Sequence, residues 1–482
     1  HLSIRRQRQM CIRDSIGAAT QVVLATPAAG FENRANFTTQ PVVEVQDIGG
    51  NVVTSSSAQI DVAISTGNLT GTLTVNALNG VADWSTAATA LGKNGTIGSK
   101  TLTFSSTGLS DATQTFVLTH GAAYQIAMTS PATLVNDTAF GTQPVVTIQD
   151  RDGNTVTTGS DASQTVTLSS NNSDIGGTTS MNANAGVANF SNKGVKLTGL
   201  VGSRNLTATI ASPSSIVVTN TVTITFGAAN KLAVTTPGAG AVNDVAFTTQ
   251  PAVTVQDVSG NTVTNSNASV LASVNGVVLG GTTSRAASSG VATFTNLKLT
   301  GSTASYTITY SSTGLTDATQ PIALSAGAAT KLVLIQSALG ASSRIAFATQ
   351  PIVEIQDASG NRVPGTTDTI TVSSSGATLG GDYTMAAVDG TASFSTNTNG
   401  LKLSGTIGTY TLTYAATGLT SATQPITLSF GTPSQLIVQT AAANAQAGIV
   451  FGTQPVIRVA DADSNTITSL SLIHISEPTR RS

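Results

Sequence analysis

Cysteine is all but missing from this 482-residue chain, with Cys11 as the single copy. That excludes a disulfide framework and a paired thiol site. Histidine occurs three times, so the clustered Cys and His of a zinc site are not available. Charged residues make up 9% and aromatics 4%. No basic stripe interleaved with aromatics stands out, and no nucleic-acid partner is expected. There is no glycine-rich phosphate loop and no paired-carboxylate site, and no cofactor is expected. No apolar run reaches the roughly 18 residues that span a bilayer. No long stretch places apolar residues at helical spacing. What fills the chain is Gly, Ser, Thr, Ala and Val. A chain so poor in charge but so rich in β-branched residues suits pleated, half-buried strands, and the fold class is read as all-β.

The sequence repeats itself. Phe-x-Thr-Gln-Pro begins at Phe37, Phe140, Phe247, Phe347 and Phe451, in steps of 100–107 residues. A glycine opens each repeat at Gly17, Gly121, Gly227, Gly327 and Gly431. Gly-x-Ala-x-aromatic ends at Trp84, Phe190, Phe294 and Phe394. These markers divide the chain into repeats at 17–120, 121–226, 227–326 and 327–430, with a shorter fifth at 431–469 that lacks the strands needed to cover its core. About 100 residues suits one small domain.

Within each repeat the pattern has period 2. Val43/Glu44/Val45, Val146/Thr147/Ile148, Val253/Thr254/Val255, Val353/Glu354/Ile355 and Ile457/Arg458/Val459 all put β-branched residues on one face and a polar residue on the other, as in a sheet packed on one side. Tyr306, Ile308 and Tyr310 line one face in the same way. The proline of each Thr-Gln-Pro stands at a strand start, where no ladder donor is lost. Asp-x-x-Gly-Asn recurs in "QDIGGN", "QDRDGN", "QDVSGN" and "QDASGN" and predicts a tight hairpin. About seven short strands per repeat predict an immunoglobulin-like sandwich, with a Greek-key barrel as the alternative.

The combination of GAA-x-K-L, F-x-TQP-V-V-x-V-x-D-x-x-GN, G-V-A-x-F and YTLTYAATGL resembles the tandem immunoglobulin-like repeats of bacterial surface and secreted proteins of the invasin and intimin type, over about residues 17–469. The resemblance implies the shaft of such a protein, the non-catalytic stalk of an adhesin-like protein at the cell surface or outside the cell; the Gly-Ala-Ala connections between repeats, too short for a flexible tether, predict an elongated array of β-sandwiches, a monomeric rod. Its ligand would then bind beyond the ends of this chain. The alternative is that the repeats themselves bind a glycan or host protein, assisted by calcium.

Residues 1–15 and 470–482 match nothing in the repeats. "QMCIRDS" and "LSLIHIS" can be back-translated so that part of one is the reverse complement of part of the other. Both termini resemble translated sequencing adapters and are set aside, so both ends are expected to be cuts in a longer gene. Without them the net charge moves from −2 to near −6 and no cysteine remains.

In a repeat protein a catalytic group should be special to one repeat. His120 is special, standing where other repeats have Phe226, Ala326 and Phe430, and is expected to be a packing or surface residue. Trp84, where the others have Phe, is expected in the core. "DRDGN" (Asp150, Asp152, Asn154) and "DADSN" (Asp461, Asp463, Asn465) space oxygens as calcium loops do, but no distal Glu follows and hairpin turns are expected. Lys196, Lys298 and Lys402 recur between apolar neighbours and are expected to point outward rather than form isopeptide bonds. No catalytic, cofactor-binding or metal-binding residue is assigned, and the chain is not expected to be an enzyme.

Overall fold

A computed structural model describes residues 16–211 and 214–469. The adapter-like segments, Cys11 among them, lie outside the described residues. The chain groups into two compact units. One runs up to Ala229 and takes in the loop Asp257–Val263; the other holds Asn230–Gln256 and the chain from Thr264 onward.

The first repeat shows how the period-2 pattern becomes a fold. Its strands are β1 (Gln21–Thr26), β2 (Val42–Gln46), β3 (Gln59–Ile64), β4 (Asn68–Thr70), β5 (Thr74–Asn76), β6 (Val81–Asp83), β7 (Gly92–Asn94), β8 (Gly98–Ser105) and β9 (Ala112–Leu118). They form a sheet of order β1-β2-β6, a second of order β5-β3-β8-β9, and a small β4-β7 ribbon. Strand two pairs with strand six, and strand three with the last hairpin. That Greek-key connection over two sheets is the immunoglobulin-like sandwich. Val43, Val45 and Ala82 from the first sheet meet Ile60, Val62, Leu102 and Phe104 from the second in one buried cluster. The barrel alternative fails because the two sheets share no strand and meet at the β1 edge only through isolated bridges such as Gln21–Ser110, which do not close a cylinder.

The same three-stranded sheet recurs at Gln125–Thr129, Val145–Gln149 and Val187–Asn189; at Lys231–Thr236, Ala252–Gln256 and Val291–Thr293; and at Lys331–Gln336, Ile352–Gln356 and Thr391–Ser393. A register shift near the end of the first strand recurs at Leu24/Thr26, Val234/Thr236, Leu334/Gln336 and Val438/Thr440. Nine strands, not about seven, make the first repeat. The additional ones are three-residue pieces, too short for alternation to reveal. Among the described residues there is no α-helix, only three single 3₁₀ turns.

From 431 the chain forms one hairpin, Gln435–Thr440 with Val456–Ala460. Its Ile457 is 55% exposed where its counterpart Val353 is fully buried, because no second sheet covers it among the described residues.

Two side-chain clamps hold the loops. The Gln of the first four Thr-Gln-Pro motifs donates from Nε2 to the carbonyl of the motif's Phe and to that of Leu91 or its equivalent, and accepts an N–H in return. For Gln40 the distances are 2.9, 3.1 and 2.8 Å; Gln143, Gln250 and Gln350 repeat the pattern. On the last strand, Gln114 exchanges two hydrogen bonds with the backbone of Ala28 (2.9 and 2.7 Å), and Gln424 does the same with Ala338 (2.9 and 2.6 Å).

Candidate functional site

The most elaborate polar cluster is the junction where one repeat follows another, and it recurs four times, each time inside one compact unit. Its hub is the Asp of Asp-x-x-Gly-Asn in the first three junctions and of Asp461-Ala-Asp-Ser-Asn in the fourth. One carboxylate oxygen closes the hairpin. Asp150 Oδ1 accepts the N–H of Asp152 and of Asn154, both at 2.9 Å; Asp257 does so from Ser259 (3.0 Å) and Asn261 (2.9 Å). The other oxygen reaches back to the opening glycine. Gly17, Gly121, Gly227, Gly327 and Gly431 donate to Oδ2 of Asp47, Asp150, Asp257, Asp357 and Asp461 at 2.7, 3.1, 2.8, 2.9 and 2.8 Å. Two recurring markers are therefore one structure, a carboxylate that pins the start of its own repeat. Charge-assisted bonds of this kind are shorter and stronger than neutral ones.

The preceding repeat supplies the rest. Asn33, Asn136 and Asn243 donate from Nδ2 to Asp150, Asp257 and Asp357 at 2.7, 2.8 and 2.8 Å. Their Oδ1 accepts the N–H of Gly95, Gly199 and Gly301 at 3.0, 2.8 and 2.9 Å. Each Asn thus ties its own repeat to the next. In the fourth junction Ser343 stands in its place and donates to Asp463 instead. The hairpin answers with its own Asn. Asn154, Asn261, Asn361 and Asn465 donate to the carbonyls of Gly95, Gly199, Gly301 and Gly405 at 2.9, 3.0, 2.8 and 2.9 Å. They accept from Ile97, Val201, Thr303 and Ile407 at 3.1, 2.8, 2.9 and 3.0 Å. Two side-chain amides do here what a β-ladder does with backbone.

The approach is close enough to dictate glycine at the link. A Cβ on Gly121, Gly227 or Gly327 would stand 2.6, 2.6 or 2.9 Å from the carbonyl oxygen of Asn33, Asn136 or Asn243. The need is for space rather than for a left-handed backbone.

Electrostatics follow the donors. Burial pushes the carboxyls of Asp150, Asp257 and Asp461 up, but the amide donors outweigh it and hold all three below the usual range. For Asp357 the same balance ends at about 2. Asp47, held by Gly17 and Asn51, also falls to about 2. The Arg34 guanidinium, helped by Asn33 and Gly95, holds Asp152 at about 2, and Arg344 does the same for Asp463.

The loops spaced like calcium sites have their oxygens aimed at N–H donors: Asp152 accepts Arg34 Nε at 2.8 Å and Nη2 at 2.5 Å, Asn33 at 2.9 Å and Gly95 at 3.1 Å. That geometry satisfies an anion. His120 is half-buried. Its Nε2 accepts the Thr158 N–H at 3.1 Å, which leaves Nδ1 to donate to the Gly121 carbonyl at 3.0 Å. It borders an open cleft of about 370 Å³ with Glu32 and Asp161, and its Nε2 also lies 2.9 Å from the Thr158 hydroxyl. Trp84 is fully buried, edge-on to Phe104 at 5.5 Å, with its indole N–H on the Thr72 carbonyl at 2.9 Å. Lys196 and Lys298 point outward to Asp137 and Asp244 at 2.5 and 2.6 Å; Lys402 is partly exposed.

Sequence reasoning missed Lys93. It is fully buried at the place held by Leu197, Leu299 and Leu403, donates to the Asn94 carbonyl, and burial lowers its pKa. Alignment of the repeats would have found it. The junction Asn was missed too, although Asn33, Asn136 and Asn243 each stand four residues before the recurring Phe.

No family model matches the sequence, and no curated protein is similar enough to match. Among solved structures the chain is similar to invasin, a bacterial integrin-binding protein, at 15% identity over 88% of this chain and 82% of that one, with a TM-score of 0.27. It is similar to surface layer protein SbsC, domains 1–6, at 14% identity over 93% and 58%, with a TM-score of 0.23. A β-glycosidase from Bacteroides vulgatus matches at 15% identity over 42% and 25%, with a TM-score of 0.19. At these scores the fold rests on this chain's own strand order: an all-β chain of immunoglobulin-like sandwiches.

Proposed function

We propose that this chain is a non-catalytic spacer of a bacterial surface or secreted adhesin-like protein. Its modules are 17–120, 121–226, 227–326 and 327–430, with part of a fifth from 431. One observation carries the proposal. The polar residues that recur in every repeat, Asp, Asn, Gln and Gly, are used in closing hairpins and joining repeats. Of the groups special to one repeat, Trp84 and Lys93 bond inward to backbone, and His120, at the border of the cleft, is bonded to the Gly121 carbonyl and to Thr158. A binding or catalytic module would instead hold recurring or unique polar groups aimed outward into a pocket.

Single-molecule stretching tests this. Four independent modules of 100–106 residues predict four separate unfolding events, each releasing roughly 350 Å of chain. One merged event would overturn the modular spacer, and saturable binding on a glycan array would favour the adhesive alternative.

A further inference from the structure

The residue after the junction Asn or Ser varies, and its variation is matched across the junction. It is Arg34 and Arg344 in the first and fourth, Asp137 and Asp244 in the second and third. Where it is Arg, the third residue of the docked hairpin is Asp: Arg34 pairs with Asp152 at 2.5 Å and Arg344 with Asp463 at 2.6 Å. Where it is Asp, the hairpin carries Ser259 or Ser359, and the Asp turns back to Lys196 or Lys298 of its own repeat. Ser259 then hydrogen-bonds Asn136 at 3.0 Å.

All four residues have a left-handed backbone, with φ of 66, 57, 60 and 65°. Glycine takes that conformation without strain, and Gly448 does so at the same place in the last segment. A charged residue kept there four times points to use of its side chain.

We infer that the junctions are of two charge classes that do not interchange: an arginine loop accepts an aspartate hairpin, and an aspartate loop accepts a serine hairpin. The partner each surface fits is a neighbouring repeat of the matching class. Docking an aspartate loop on the Asp152 hairpin would add a third carboxylate beside Asp150 and Asp152 and remove the guanidinium that neutralises them. Rejection of that kind selects partners by repulsion as much as by attraction. It would keep repeats of similar sequence from docking out of order or on another copy of the chain. The inference stands on the junctions alone and does not require the spacer role.

A charge-swap cycle in the full chain tests it, read by hydrogen exchange at the Gly95 and Asn154 amides. R34D should speed exchange there about tenfold, from like charges brought together. D152S alone should do so only about two- to threefold, the effect of losing a partly exposed ion pair and one of the two acceptors of the Gly95 N–H, with Asn33 remaining. R34D/D152S should return to near the D152S rate. The reciprocal pair, S259D and D137R/S259D, reads the same coupling at the Gly199 and Asn261 amides, whether or not R34D folds. Double variants that exchange as fast as R34D or S259D alone, or single swaps that change nothing, would overturn the inference.

Discussion

Gly17 and Gly121 occupy the same place in the repeat, and both donate to the hub carboxylate. They differ in what lies on the far side. A Cβ on Gly17 would stand 3.4 Å from Asp47 Oδ2, an ordinary contact, whereas on Gly121 it would stand 2.6 Å from the Asn33 carbonyl oxygen. The carboxylate clamp belongs to the repeat itself; the demand for glycine comes from the repeat docked before it. One recurring residue thus has two causes, and only the second needs a neighbour.

The largest break in that comparison should come from the hub. Asp150→Ala strips a buried acceptor from Gly121, Asn154 and Asn33 together. It should cost about 3 kcal/mol in calorimetric unfolding, since each buried donor left unpaired costs about 1–3 kcal/mol. Asp47→Ala has no junction Asn opposite among the described residues and should cost less. Next comes the link. Gly121→Ala should destabilise by about 1–3 kcal/mol, the range for overpacking, while Gly17→Ala stays within about 0.5 kcal/mol; thermal melting separates them.

Acid should weaken both clamps, since Asp47 too lies at about 2. The carboxyls at Asp357 and Asp152 lie near 2 when folded, against an ordinary value of 3.8. A depressed folded pKa gives stability that is present above the unfolded value and is lost as pH falls through the folded one. Junction stability should therefore hold down to about pH 4 and fall between about 4 and 2, as read by melting temperature against pH. The smallest effect belongs to Arg344→Ala, at about 0.2–1 kcal/mol, because its ion pair with Asp463 is largely solvent-facing on the arginine side.

What the sequence made legible was local. Alternation named the buried residues Val43, Val45, Val353 and Ile355, and the Phe counterparts placed Trp84 in the core. Asp-x-x-Gly-Asn was legible as a hairpin, because its bonds at two and four residues' spacing are short-range. Its second role was not, because Asn33 and Asp150 are 117 residues apart and neither alternation nor turn chemistry reports on such a pair. The Gln of Thr-Gln-Pro was hidden for the same reason, its partner Leu91 being 51 residues away from Gln40. Lys93 was obscured differently: it breaks the apolar pattern that the other repeats keep, and no rule of periodicity accounts for a cation in a leucine's place.

Amide hydrogen exchange at Ile97, Val201, Thr303 and Ile407 tests the central claim most directly, namely that consecutive repeats are docked through the hub hairpin rather than strung on a free linker, because each of these N–H groups donates to the hairpin Asn of the next repeat. The account predicts protection on the order of a thousandfold at all four at neutral pH, collapsing when the hub Asp of that junction is replaced by Ala. Exchange at the rate of an undocked loop, unaffected by the Asp→Ala change, would contradict it.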